Sequence, residues 1–296
     1  MDKASDILKR VRRIELRAKH LATENFAGQY QSGFRGQGLD FDDFREYLPG
    51  DDPRFIDWKV TARMSAPYVR RFREEREQAL LLAVDVSGSM HYASSAARVS
   101  KLDYAAEIAA VLSFSAVQSG DKCGLLLYGC RDPLYIPPAK GMKNTLRIVR
   151  EIVASENGGA DQGIAPVAEQ LVLSQKKAAM VVMIGDFWGD HNKGALGRIN
   201  FKHDFIPVRI ADPMELHLPD AGRVILKDPE TGRDMFLNLS RQEVRDAHAD
   251  AVHRHREKWA QDFRSLGIDF LDLATTDNFM PPLKALFARR SRQFAR

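Results

Sequence analysis

Two short segments carry the side chains best suited to chemistry: Asp85-Val86-Ser87-Gly88-Ser89-Met90 and Gly185-Asp186-Phe187-Trp188-Gly189. In the first, a carboxylate and two hydroxyls recur at every second residue. A tight loop, eased by Gly88, turns three such groups toward one point. Asp186 brings a second carboxylate and completes an all-oxygen set. Such a set suits Mg2+, which takes few carboxylates, keeps several waters and prefers octahedral geometry. Asp85, Ser87, Ser89 and Asp186 are the candidate metal ligands. The plainer alternative is an N-cap and turn built from Asp85 and Ser87, which needs no metal. Trp188 and Met90 are the candidate partner contacts, with Trp188 either core or an exposed anchor.

Each loop is reached by an unbroken apolar run, Ala79–Val84 and Ala178–Gly185. Runs of this kind suit strands covered on both faces of a parallel sheet. Further strands are expected at Lys122–Tyr128, Asp204–Ile210 and Ile268–Leu273. Helices are expected at Lys101–Gln118, Met142–Ala154, Ile164–Leu173 and Phe279–Arg289. Strands alternating with helices imply an α/β fold with right-handed crossovers. Ligands of open α/β sheets bind at the carboxyl ends of the strands, where both loops fall.

Val224–Leu239 reads as an inserted β-hairpin turning at Asp228-Pro229-Glu230-Thr231-Gly232. Ser240-Arg241-Gln242-Glu243 has the form of a capping box opening a long helix to about Leu266, stopped by Gly267. Upstream, residues 3–22 read as a helix. Ile7, Val11, Ile14 and Ala18 form its apolar stripe, widened by Leu8 and Leu21. Gly28–Gly38 is glycine-rich, but no strand precedes it, so it makes a poor dinucleotide loop. Residues 39–66 mix Phe41, Phe44, Tyr47, Phe55 and Trp58 with many charges. That stretch has too little chain around it for a core of its own. We therefore expect residues 1–77 to pack as an extension on a main domain at 78–296.

Of the 296 residues, 44% are hydrophobic and 28% charged, an ordinary globular balance. The formal charge is +4, from 44 basic and 40 acidic residues, with the excess near the two ends. We expect these ends to be solvated helix faces and a frayed tail. Cys123 and Cys130 flank one strand, so a bridge between them is not expected, and lone thiols fit a reducing compartment. Met1–Asp6 lacks the apolar core of a signal peptide, and no apolar run reaches membrane length. A cytoplasmic protein is expected.

Other chemistries are open to these residue types. An aspartate after a strand can accept a phosphoryl group, as in a phosphatase or hydrolase, but Ser87 stands where a second aspartate is usual. Arg63, Arg70, Arg71, Arg73 and Arg76 could contact nucleic-acid phosphates, or pair with Glu74, Glu75, Glu77, Asp51 and Asp52. His248, His253 and His255 share a long helix without a cysteine cluster and read as surface groups.

The strand followed by Asp-x-Ser-x-Ser resembles the metal-ion-dependent adhesion site of von Willebrand factor A domains. A longer resemblance lies upstream. Arg35-Gly36-Gln37-Gly38, Phe41 through Trp58 with its Tyr47-Leu48-Pro49-Gly50-Asp51-Asp52-Pro53, Thr61-Ala62-Arg63 and Val69-Arg70-Arg71-Phe72 resemble the bacterial domain of unknown function family fifty-eight. The likeness spans essentially the whole chain. It implies a von Willebrand factor A-like, Rossmann-like sheet and carries no established enzymatic activity. Members are commonly encoded beside MoxR-type AAA+ ATPases, which implies a chaperone-like or adaptor role toward a partner or client protein. Carried over, Asp85, Ser87 and Ser89 match the first motif of the adhesion site and Asp186 its final aspartate. The family pattern places a threonine where this chain has Ala160, within Gly158-Gly159-Ala160-Asp161. Asp161 could replace the missing hydroxyl directly or through water.

Overall fold

The computed structural model describes residues 3–22, 26, 30, 39–64, 66–74, 78–94, 99–155, 163–189 and 192–294. In chain order its helices are α1 (Lys3–Leu21), α2 (Trp58–Thr61), α3 (Lys101–Gln118), α4 (Met142–Ala154), α5 (Ile164–Ser174), α6 (Lys193–Lys202), α7 (Pro213–Leu216), α8 (Gln242–Ser265) and α9 (Met280–Phe294). Its strands are β1 (Leu39–Glu46), β2 (Tyr68–Glu74), β3 (Ala79–Asp85), β4 (Lys122–Tyr128), β5 (Leu134–Ala139), β6 (Met180–Gly185), β7 (Asp204–Ala211), β8 (Arg223–Lys227), β9 (Asp234–Asn238) and β10 (Leu271–Ala274). Two compact units divide the chain: residues 1–34 with 79–296, and residues 35–78. The first helix thus belongs with the larger unit, while the aromatic-rich stretch forms a unit of its own.

The larger unit is built on a six-stranded sheet ordered β10-β7-β6-β3-β4-β5. Every pairing in it is parallel except β4 with β5. Side chains alternate across β3: Leu80, Leu82 and Val84 enter one core, Leu81 and Ala83 the other. Helices α1, α3, α4 and α9 cover the first face, and α5, α6 and α8 the second. Both faces are therefore dry, which accounts for the unbroken apolar runs of β3 and β6.

Helix α1 buries Ile14 and Ala18 and half-buries Ile7 and Val11, so the expected stripe is the packed one. Leu8 does not widen it: that side chain is 63% exposed. Arg10 pairs with Asp103 at 2.6 Å and Arg17 with Glu107 at 2.8 Å, both across to α3. At the other end, Arg289 pairs with Asp269, and Arg290 with both Asp269 and Asp204. Arg290 is buried and Arg10 half-buried in these pairs, while Lys9, Arg12, Arg13, Arg17, Lys19, Arg289 and Arg292 stay exposed, so most of the basic excess at the ends lies on solvated helix faces as expected. Among the described residues no helix is long and apolar enough to cross a membrane.

Three of the elements that depart from the sequence expectation have a clear physical reason. Strand β5 contains Pro137-Pro138, which argues against a strand, but it is an edge strand and needs fewer ladder donors. Helix α6 carries Gly194 and Gly197, which weaken its propensity. Asn192 caps it, and Ala195, Leu196 and Ile199 bury its face. Helix α8 opens at Gln242 with Arg241 in the cap position and no side-chain cap bond. The Ser240 amide instead donates to Asn238 Oδ1, and buried Leu239 pins the end of the hairpin, so the capping box is not used.

The smaller unit pairs β1 with β2 antiparallel, with a register shift between Phe41 and Asp43. Its acidic turn is structural. Asp51 takes a two-pronged contact from Arg45, Asp52 caps the turn at Pro53–Phe55 and pairs with Arg54, and Asp57 caps α2. The side chains of residues 70–77 lie outside the described residues, as does most of Gly28–Gly38.

His203 closes α6 at 3% exposure, and among the described residues neither ring nitrogen has a hydrogen-bond partner. Burial, with help from Lys202, pushes it down from 6.5 to about 4. The unfolded chain takes up this proton near pH 6.5 and the folded chain only near pH 4. Stability is therefore insensitive to His203 above that window and falls as pH drops through it. His203→Leu should flatten this part of the pH dependence, as read from urea midpoints at about pH 7.5 and about pH 4.5.

Candidate functional site

Numbered within the sheet alone, the strand order is 6-5-4-1-2-3, the doubly wound arrangement with its switch point between β3 and β6. The two strands run parallel with Val84 beside Ile184, so Asp85 and Asp186 leave the sheet at the same edge. Asp85, Ser87, Ser89 and Asp186 are all buried, at 2%, 0%, 9% and 3% exposure. Asp85 Oδ1 accepts the Ser87 amide at 2.8 Å, which bends the loop back on itself. The Ser87 and Ser89 hydroxyl oxygens then lie 3.1 Å apart. Ser87 occupies the cap position of the short turn Gly88–His91 but makes no side-chain cap bond. Its hydroxyl is turned to Ser89, which the capping explanation does not account for.

Two glycines make this loop possible. A Cβ on Gly129, which has φ +73°, would stand 2.4 Å from Asp85 Oδ1 and 3.0 Å from the Ser87 nitrogen. A Cβ on Gly185 would stand 2.7 Å from Tyr128 Oη and 2.9 Å from Asp85 Cβ. Neither neighbouring strand end tolerates a side chain against the Asp85 carboxylate. A small cleft beside it is lined by Tyr128, Gly163, Ile164, Phe187, Gly189 and Trp259.

Asp186 has a partner that the sequence reading missed. Lys101, the first residue of α3, is fully buried and donates to Asp186 Oδ2 at 2.7 Å and to Glu215 on α7. Burial alone would lower the lysine, but Asp186 and Glu215 outweigh it and hold the ammonium above its ordinary value. Glu215 is fixed in turn by a reciprocal cap with Asp212, whose other oxygen accepts the Ser94 amide. A lysine inside a helix that is apolar nearly all round was the signal for this: such a charge needs a buried partner.

Two adjacent oxygens of an octahedral magnesium shell lie about 2.9 Å apart, given bonds of about 2.0–2.1 Å. The 3.1 Å between the serine hydroxyls fits that spacing, and Asp85 adds a carboxylate in the same loop. Among the described residues no three carboxylate, imidazole or thiol groups gather to hold a metal, so a cation here would depend on the hydroxyls. Ala160 and Asp161 lie outside the described residues.

The loop after Asp186 is clamped from α8. Phe187 has φ +58°, a left-handed conformation unusual for a bulky residue. Its ring packs edge-on against Trp259 and Phe263, and its carbonyl accepts from His255 Nε2 at 2.8 Å. Trp188 is 40% exposed and stacks on the His255 ring at 4.7 Å. His255 is therefore a bracket of the site loop rather than a surface group, and burial lowers its pKa. Met90 is fully buried and anchors the turn in the core, so it cannot be a partner contact. Cys123 is buried with its thiol pushed up to about 12, while Cys130 is half-buried; both are unbridged. From the hairpin turn, Glu230 Oε1 accepts the Ser89 amide at 2.7 Å.

The doubly wound sheet, its short antiparallel third strand and the Asp-x-Ser-x-Ser loop at the switch point are the α/β arrangement that the resemblance to von Willebrand factor A domains implies. The chain belongs to the family described as "Protein of unknown function DUF58", which matches residues 43–258. It is 29% identical over 287 residues to uncharacterised proteins of Mycobacterium tuberculosis and Mycobacterium bovis, covering 95% of this chain and 89% of each relative. Among solved structures it is similar to the conserved hypothetical protein BatB from Bacteroides thetaiotaomicron. That match has 13% identity and a TM-score of 0.45, covering 73% of this chain and 99% of that one. It is also similar to the VWA domain of SpRpn10, with 12% identity, a TM-score of 0.40, and 70% and 93% covered.

Lys101→Met should cost about 3–5 kcal/mol of stability, because it leaves buried Asp186 and half-buried Glu215 without their ammonium partner. Adding Asp186→Asn and Glu215→Gln should recover part of that loss. Chemical denaturation of the single and triple variants measures both effects.

Proposed function

We propose that this protein is a non-enzymatic binding module whose strand-end loop receives an acidic side chain of a partner. The observation that carries the reading is the buried pair of hydroxyls, Ser87 and Ser89, 3.1 Å apart beside Asp85 at the switch point. In the proposed bound state Asp85, Ser87 and Ser89 hold Mg2+, which supplies a hard positive centre for a carboxylate. Asp186 is tied to Lys101 and accepts the Trp188 amide, so it holds the neighbouring loop in place. The chain's own residues do the rest. Asp85 fixes the loop through the Ser87 amide, the Ser89 amide donates to an incoming carboxylate, and Trp188 offers an exposed aromatic face near the entrance.

The Asp85 loop supports binding over catalysis. Asp85 already accepts the Ser87 amide, which ties up one of its oxygens, and Ser87 stands where a phosphoryl-transfer site usually has its second aspartate. On the family resemblance, the partner we propose is a MoxR-type AAA+ ATPase, with a client protein as the second ligand, in the cytoplasm. In that role the module is an adaptor or chaperone-like subunit.

The test is capture from a native lysate on the immobilised full chain, with magnesium, with chelator and with ATP. We expect an AAA+ ATPase to be retained with magnesium. It should be lost with chelator and lost on Asp85→Ala, with Asp85→Ala first shown to be folded by its thermal transition. Equal retention by the two chains, with and without chelator, would contradict a metal-bridged contact.

A further inference from the structure

We infer that Glu230, at the tip of the β8–β9 hairpin, is an intrachain ligand of the strand-end site and occupies the position where a partner's acidic side chain docks. The inference rests on the binding reading above and names what that site must release before it binds.

The geometry is specific. Glu230 Oε1 lies 2.7 Å from the Ser89 nitrogen, a contact between residues 141 apart in sequence. The carboxylate thus sits on the same loop as the Ser87–Ser89 hydroxyl pair. The turn is pre-shaped to present it. Asp228 Oδ1 accepts the Glu230 amide at 2.9 Å, Thr231 Oγ1 donates to Asp228 Oδ2, and the Asp228 carbonyl accepts the Gly232 amide at 2.8 Å. Gly232, at φ +70°, takes the left-handed conformation that closes this turn.

The rest of the hairpin is held loosely. Its cross-strand pairs Ile225–Phe236 and Leu226–Met235 stay largely outside the core, with Ile225 60% and Phe236 77% exposed. A two-stranded hairpin with so little buried is marginal by itself. Segments of this kind open at low free-energy cost. A stiff tip that offers a carboxylate, on arms that bury little, is a displaceable ligand. The partner it mimics is an acidic peptide segment that carries glutamate in a tight turn.

A tethered carboxylate competes with any partner at high effective concentration. Removing it should raise apparent affinity for an acidic segment by about 10-fold or more. The probe is a synthetic peptide of residues 226–235, Leu-Lys-Asp-Pro-Glu-Thr-Gly-Arg-Asp-Met, added to the full chain. We expect it to bind Glu230→Ala at least about 10-fold more tightly than the unaltered chain. A peptide with glutamine in place of its glutamate should lose that gain. By hydrogen exchange, the fragment containing Ser89 should exchange faster in Glu230→Ala and regain protection when the peptide is added. Asp228→Ala, which unshapes the tip but keeps the carboxylate, should show a smaller gain of the same sign. Equal peptide affinity in the two chains, or unchanged exchange at Ser89, would overturn the inference. Repeating the titration with chelator separates the two claims. A gain that survives chelation supports Glu230 as the intrachain ligand and contradicts the metal reading. No gain, combined with magnesium-dependent capture, overturns Glu230 and leaves the metal reading standing.

Discussion

The site depends on one close approach: the Asp85 carboxylate lies in a slot where β3 leaves the sheet between β4 and β6. Gly129 on one side and Gly185 on the other are what make the slot wide enough. From there Asp85 holds the Ser87 amide, and that bond brings the two hydroxyls together. The doubly wound order places this slot where the connections diverge to opposite faces, the natural place for a crevice. The dry cores on both faces hold the strand ends still, so the loop inherits its position from buried packing rather than from its own contacts.

A second constraint is electrostatic. Burying an ammonium group is unfavourable unless carboxylates meet it, and Lys101 meets two. Asp186 is thereby tied to a fixed internal cation. The loop facing the entrance is left with one carboxylate and neutral hydroxyls. On the proposed reading, fewer charged ligands make for a weaker and more exchangeable cation site, because ligand charge tunes affinity for hard cations. That suits a module that must pick up and release a partner.

The sheet was legible because both faces are buried. Unbroken runs such as Ala79–Val84 leave few alternatives, and α3 was readable end to end because its apolar surface goes nearly all the way round. Edge and surface elements were not, since tertiary context overrides their local signals: Pro137-Pro138 is tolerated only because β5 is an edge. Asp85, Ser87, Ser89 and Asp186 could be named from spacing and strand ends, and Asp161 only from the family resemblance. Their supports could not, because Lys101, Glu215, Glu230 and His255 come from elements that only the fold brings near. Met90 shows the converse: proximity in sequence to a site loop says nothing of which way a side chain faces, and this one faces the core.

The claim on which the account turns is that the slot holds a divalent cation on serine hydroxyls. Diffraction from a crystal soaked in manganese, collected for its anomalous signal, tests it most directly. The account predicts a peak at about 2.0–2.2 Å from both Ser87 Oγ and Ser89 Oγ, the bond length expected for a small hard cation. Density between Ser87 and Asp186 that carries no anomalous signal and refines as water would contradict it.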